Sequence, residues 1–283
     1  MKSILLTGAT DGIGRETAQT LVSLGHRVLL HGRDGAKLDR VERALSELSS
    51  EAQIETYVAD LSRLPDVELL AKSVSERHDR LDALINNAGV FVVPDSLTPD
   101  GLDVRFAVNT IAPWLLTQRL LPLLGSSGRV INLSSAAQAP VDLSAFTGTR
   151  RLPDGEAYAQ SKLALTMWSR NLAMSLGEDG PAIIAVNPGS MLGSKMVKQA
   201  YGVAGKDIRI GADILTRAAL DQTFASATGQ YFDNDTKQFA SPHPDAMDPT
   251  KTAEIVRAMQ ALLTAADADQ SPNAHLQNEK RAN

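Results

Sequence analysis

The chain has no cysteine anywhere in its 283 residues. That excludes disulfides, thiolate nucleophiles and cysteine-ligated metals. Histidine is scarce as well: His26, His31, His78, His243 and His275 stand apart, with none in a metal-ligand spacing. No metal site is expected. No apolar run approaches the roughly 18 residues needed to span a bilayer. The first residues enter a strand pattern at once rather than a leader pattern. Basic surplus is lacking too, with a net charge of −5 and a pI near 5.6. Nucleic acid and anionic membrane are therefore not expected partners. Repeats, linkers and breaks in composition are absent. What is present is an ordinary soluble composition, 43% hydrophobic and 22% charged. Such a chain is long enough for one large α/β domain or two small ones, and a cytoplasmic protein is expected.

Short apolar runs at residues 3–7, 27–31, 54–59, 83–85, 129–133 and 183–186 read as buried strands, with a short last one at 230–232. Helical periodicity fills residues 15–24, 36–48, 64–77, 101–124, 156–176 and 250–263. Pro113 is expected to kink the fourth of these or adjust its hydrogen bonding. Strands that alternate with helices imply right-handed crossovers and a doubly wound parallel sheet. The expectation is a single Rossmann-type α/β domain of about seven strands with helices on both faces. It spans residues 1–264 with a substrate lid at about 190–210, followed by a flexible polar tail at 265–283.

Gly8, Gly12 and Gly14 fall where the first strand turns into the first helix. Gly8 permits a tight turn there. Gly12 and Gly14 let a pyrophosphate approach the helix N-terminus and its free N–H groups. The alternative for a glycine trio is a plain turn. Tyr158 and Lys162, four residues apart, lie on one helix face one turn from each other. An ammonium that close favours the phenolate and lowers the tyrosine pKa from about 10. That makes a phenol usable as a proton donor or acceptor near neutral pH. The alternative is a half-buried Tyr beside a solvated Lys.

Thr7-Gly8-Ala9-Thr10-Asp11-Gly12-Ile13-Gly14, Asn86-Asn87-Ala88-Gly89, Tyr158-x-x-x-Lys162 and Asn187-Pro188-Gly189 occur in that order. Together they resemble the short-chain dehydrogenase/reductase family from about residue 3 to 262. The resemblance implies that Gly8, Thr10, Asp11, Gly12, Ile13 and Gly14 cradle a nicotinamide dinucleotide. It implies that Asp60 and Leu61 hold the adenine, the alternative being a helix cap by Asp60 or Ser62. It implies that Asn87, Ala88 and Gly89 line a ribose, the alternative being a strand-end turn. A catalytic group of Asn109, Ser135, Tyr158 and Lys162 follows. Asn109 would support a helix irregularity and a water that links Lys162 to solvent; otherwise it is a helix-surface amide. Ser135, with Ser134 as the fallback, would donate to the substrate carbonyl. Tyr158 would transfer the proton, and Lys162 would bond the nicotinamide ribose. Pro188, Gly189 and Ser194 complete the cofactor set. The family often has a Thr after its Pro-Gly pair, and here Ser194 is the nearest hydroxyl that could substitute.

The second strand ends in His31-Gly32-Arg33, with no carboxylate to accept the adenosine ribose hydroxyls. Arg33 can pair with a 2′-phosphate, so NADP(H) is expected over NAD(H). Asp34 could pair with Arg33 instead. The long loop at 136–157 and the stretch at 229–232 resemble the branch of retinol dehydrogenases and the WW-domain oxidoreductase. The expected activity interconverts a ketone or aldehyde and an alcohol, on a small and apolar substrate. Met191, Leu192, Met196 and Val197 would form an adaptable lid, or else core or a contact in a homo-oligomer. A sugar epimerase or dehydratase is disfavoured by the glycine spacing. A non-catalytic NADP-binding sensor or scaffold remains the alternative of a different class.

Overall fold

Seven short apolar strands lie side by side in parallel: β1 (Ser3–Leu6), β2 (Arg27–Gly32), β3 (Gln53–Val58), β4 (Ala83–Asn86), β5 (Arg129–Leu133), β6 (Ala182–Asn187) and β7 (Tyr231–Asp233). The structure is a computed structural model that describes residues 1–49 and 51–269. An eighth strand, β8 (Gln238–Ala240), runs antiparallel to β7 and ends the sheet order 3-2-1-4-5-6-7-8. Sequence reading stopped at β7, because three residues carry too little alternation to mark β8. Its Phe239 completes a ring cluster with Phe224 and Phe232, whose centroids lie 5.1–5.2 Å apart.

The helices follow as α1 (Gly12–Ser23), α2 (Gly35–Ser46), α3 (Leu64–Ser75), α4 (Val104–Phe106), α5 (Ala112–Leu124), α6 (Leu143–Phe146), α7 (Asp154–Leu176), α8 (Lys195–Tyr201), α9 (Arg209–Leu220) and α10 (Pro249–Asp269). Successive strand residues point to opposite faces, and both faces are apolar. Ile4, Leu6, Val28, Leu30, Ile85 and Val186 pack under α1, α2 and α9. Leu5, Leu29, Leu84, Val130 and Ile183 pack under α3, α5, α7 and α10. That is why the strands read as continuous apolar runs, the pattern of a parallel sheet covered on both sides. Among the described residues no helix is long and apolar enough to cross a membrane.

Two expectations are corrected. The helix expected over 101–124 is α4 and α5 joined by a π-helical turn, Ala107–Ile111. Pro113 has no N–H, so it withdraws the donor that a regular helix would offer the Asn109 carbonyl. α10 continues past residue 263 to Asp269, where alanines at 265 and 266 favour helix and Ala266 packs on the core. The rest of the expected tail, 270–283, lies outside the described residues.

The strand order reverses between β1 and β4, and a crevice opens above their carboxyl ends. A clasp closes that junction. Thr7 Oγ1 accepts from the Asn87 and Ala88 N–H groups, both at 3.0 Å. Asn87 Nδ2 donates to the carbonyls of Thr7 (2.8 Å) and Gly8 (3.1 Å). Replacing Asn87 by Ala strips two buried carbonyls of their donor. A loss of about 1–3 kcal/mol is expected, read as a lower urea midpoint at unchanged slope.

Candidate active site

The clasp fixes the glycine loop. Gly8 has φ +66°, and a Cβ there would lie 2.8 Å from Ala88 Cα. A Cβ on Gly14 would lie 2.2 Å from the Gly8 carbonyl oxygen, so only glycine fits. His31, buried at the end of β2, holds the loop from the other side. Its Nδ1 accepts from Gly8 N–H at 3.3 Å, and its Nε2 faces the Ala59 carbonyl at 3.1 Å. A carbonyl only accepts, so Nε2 carries the proton. Burial pulls the imidazole down to about 4 and keeps it neutral. Asp11 caps α1 by accepting from Gly12 N–H at 2.9 Å, and Thr10 packs its methyl toward Gly32. Ile13 sits half-buried at the start of α1.

Arg33 is exposed just past β2 and makes no ion pair among the described residues. Asp34 turns away from it, capping α2 at Lys37 N–H (3.0 Å) and pairing with the Lys37 ammonium at 3.7 Å. The Arg33–Asp34 pair considered above is therefore not formed. Asp60 Oδ1 accepts from both Ser62 N–H and Ser62 Oγ, which makes a local turn. The helix beyond is capped at Arg63, so neither Asp60 nor Ser62 caps it. Leu61 buries its side chain in the core.

Lys162 stands at the centre of the polar interior. Its ammonium donates to the Leu133 carbonyl at 2.6 Å and makes no other hydrogen bond among the described residues. Burial pulls it down to about 7. A Cβ on Gly89 would meet Asn109 Oδ1 at 3.4 Å and Lys162 Nζ at 3.5 Å, so these groups converge. Asn109, on the π-helical turn, clips that turn in place. Its Oδ1 accepts from Val90 N–H (2.8 Å), and its Nδ2 donates to the Val90 carbonyl (3.0 Å) and Ser161 Oγ (2.9 Å). It is buried rather than a surface amide.

Tyr158 is half-buried with its ring 4.5 Å from Phe91. Burial raises its phenol above 10, and the nearby Ser135 hydroxyl acts against the rise. The expected depression by Lys162 is not what this geometry gives. The ammonium lies 5.8 Å from the ring centroid and is directed at Leu133, so desolvation dominates. The two serines separate clearly. Ser134 is buried and bonded to Thr166 Oγ1 at 2.7 Å, whereas Ser135 faces Tyr158.

After β6, Gly189 N–H donates to Asn187 Oδ1, and the Pro188 carbonyl accepts from Asn234 Nδ2 at 2.9 Å. The Asp235 carboxylate in the β7–β8 turn accepts from Ser190 N–H and Asn187 Nδ2. Ser194 caps α8 through Val197 N–H at 3.2 Å, and its Cβ is 4.0 Å from where a Cβ on Gly12 would be. It therefore sits beside the glycine loop.

Sequence reading missed the residues that brace this site. Tyr231 Oη and Gln138 Nε2 both donate to the Ser135 carbonyl, at 3.1 and 2.9 Å. Arg105, fully buried, grips the Asp103 carboxylate with two nitrogens at 2.8 and 2.6 Å. It also reaches Asp154, the first residue of α7, and the Phe91 carbonyl at 3.3 Å. So it joins the start of the tyrosine helix to the ring that stacks on the tyrosine. An arginine amid an apolar helical pattern was the available signal, but its partners beyond Asp103 are 14 and 49 residues distant.

The short chain dehydrogenase family profile matches residues 2–202. Human retinol dehydrogenase 13 is 32% identical over 279 residues, covering 92% of this chain and 82% of its own length. A solved structure of an uncharacterised protein from Mycobacterium paratuberculosis superposes with a TM-score of 0.77 at 26% identity, over 93% of each chain. The angucycline C-6 ketoreductase LanV, with bound NADP, gives a TM-score of 0.66 at 28% identity, over 82% of this chain and 93% of its own.

The lysine has a consequence for stability. An unfolded chain keeps its Lys162 proton up to about 10.5, the folded chain only to about 7. Below 7 both states are charged and burial disfavours the fold in full. Between 7 and about 10.5 only the unfolded state holds the proton, so stability rises with pH. Lys162→Met should therefore melt higher than the unaltered chain at pH 6, with the gap closing toward pH 10. A gap that does not change with pH would contradict this.

Proposed function

This chain belongs to the short-chain dehydrogenase/reductase family, near its retinol dehydrogenase branch, and acts on CH–OH or C=O groups with a nicotinamide cofactor; we propose that it is an NADP(H)-dependent reductase of apolar ketones or aldehydes that uses Tyr158 as its proton donor. The observation that carries the reading is the convergence of Lys162 Nζ and Asn109 Oδ1 at Gly89, with Tyr158 and Ser135 alongside. The residues fit the cofactor. Gly8, Thr10, Asp11, Gly12, Ile13 and Gly14 would cradle a pyrophosphate at the N-terminus of α1. Asp60 and Leu61 would hold the adenine. Asn87, Ala88 and Gly89 would line the ribose beside Lys162, whose remaining ammonium protons suit its hydroxyls. Pro188, Gly189 and Ser194 would close over the nicotinamide end.

When bound, the cofactor supplies the hydride. Ser135 Oγ donates to the substrate oxygen and steadies its developing charge. Tyr158 gives that oxygen its proton, or takes it in the reverse direction. Lys162 holds positive charge near the phenol and, with Asn109, links it to a proton source. Arg33 would pair with a 2′-phosphate, which its lack of any ion pair among the described residues supports, as does the NADP bound to LanV. One domain over residues 1–264 would do this, with 190–210 as its lid. Exposed Val92, Leu97, Met191, Tyr201 and Val203, on the segments after β4 and β6, support an apolar substrate. A non-catalytic sensor has no use for a buried ammonium that weakens the fold, and Lys162 disfavours that reading.

Tyr158→Phe should lower turnover by about 10²–10⁴-fold while NADPH binding, followed by thermal shift, persists. Survival of activity would refute the proton-donor role. Arg33→Ala should raise the Michaelis constant for NADPH by about tenfold or more and leave that for NADH nearly unchanged. Equal changes would refute the NADP preference.

A further inference from the structure

Helix α8 stands on a narrow neck. Leu192 and Lys206 form an isolated parallel bridge, with Gly193 N–H donating to the Lys206 carbonyl and Lys206 N–H to the Met191 carbonyl, both at 2.7 Å. Met191 holds φ +58°, a left-handed conformation unusual for a side chain of its size. None of the seven residues of α8 is buried. Beyond its neck, α8 has Met196, Val197 and Ala200 half-buried, and its two ends meet groups on the body of the protein. Tyr201 at its end lies 6.0 Å from the Phe91 ring. Lys195 at its start pairs with Asp11 Oδ2 at 2.5 Å, across 184 residues of sequence.

The second contact is at the cofactor loop. Asp11 Oδ1 accepts from Gly12 N–H, the first N–H of α1, at 2.9 Å. The carboxylate is thus an anion resting on the helix end where a pyrophosphate is expected. Its other oxygen is taken by a cation carried on the lid. Side-chain exposures of 74% for Lys195 and 53% for Asp11 make this a solvated pair. Such pairs hold weakly and exchange partners readily. Lys37 of α2 is the other cation acting on Asp11, and it already pairs with Asp34. A dinucleotide seated on α1 brings two further anionic phosphates to this neighbourhood, and Lys195 is the cation free to leave its partner for them.

We propose that Lys195 is a cofactor-phosphate ligand borne on the lid, with Asp11 as the resident anion that occupies it until a dinucleotide arrives. Cofactor binding then draws α8 down by the same ammonium that pairs with Asp11, and Asp11 sets how tightly the dinucleotide is held. The proposal rests on the nicotinamide reading above.

A double-mutant cycle on the full chain tests it: the unaltered chain, Lys195→Gln, Asp11→Asn and the pair, each titrated with NADPH by nicotinamide fluorescence and by thermal shift. Lys195→Gln should weaken binding roughly tenfold, and Asp11→Asn should tighten it by about threefold or more. In the Asp11→Asn background, Lys195→Gln should still weaken binding roughly tenfold. If it weakens nothing once Asp11 is neutral, Lys195 merely offsets the carboxylate and the proposal falls. It falls too if Lys195→Gln is silent in both backgrounds, or if Asp11→Asn weakens binding. Failure of the unaltered chain to bind NADPH or NADH would overturn the nicotinamide reading and this proposal together. Loss of the Lys195 effect alone leaves that reading standing.

Discussion

One hydroxyl decides the architecture of the site. Thr7 Oγ1 takes two backbone N–H groups from the end of β4, and Asn87 returns two bonds to the end of β1. Parallel strands whose connections diverge leave a gap at their carboxyl ends. Without a clasp the backbone groups there would lack partners. With it, Gly8 is pressed against Ala88 and Gly14 against Gly8. The glycine loop and the Asn87-to-Gly89 segment become one rigid rim. Gly89 at the end of that rim lies within contact distance of Asn109 Oδ1 and Lys162 Nζ.

Around that rim the protein accepts local instability. A lysine, an asparagine and a π-helical turn lie inside an apolar shell. Each polar group is tied to backbone from another element: Lys162 to Leu133, Asn109 to Val90, His31 to Gly8 and Ala59. Burial alone explains the directions in which Lys162, His31 and Tyr158 titrate: toward the neutral form in every case. Burial therefore pushes each of these proton-handling groups toward its uncharged form. Binding of a charged cofactor is the event able to change that balance, since a nearby anion favours the ammonium.

Buried charge serves positioning elsewhere too. Arg105 is fully enclosed, with two carboxylates and one carbonyl as partners. Removing Arg105 would leave the buried Asp103 carboxylate charged and without its ion pair, which costs far more than an exposed pair contributes. The loop bearing Phe91, the π-helical segment and the first turn of α7 are held as one piece. Helix α8 is the contrast. α8 has an exposed ion pair, a ring contact and a short bridge, and nothing in the core. Rigidity below and looseness above suit a site that must admit a cofactor and then close on it.

The sequence by itself determined the α/β architecture, the alternation of strands and helices, the place of the glycines at the first strand-to-helix turn, and the spacing that sets Tyr158 and Lys162 on one helix. These rest on periods of 2 and 3.6 and on spacings of a few residues, which local chain geometry dictates. The tertiary structure alone decided that Ser134 is turned to Thr166, that Lys162 is directed at Leu133, and that Asp34 caps α2 rather than pairing with Arg33. It alone revealed the π-helical turn, the grip of Arg105 and the Asp11–Lys195 pair. The reason is that a pattern along the chain records which face of an element is apolar. It does not record which polar groups meet across it, and these partners lie as far as 184 residues apart.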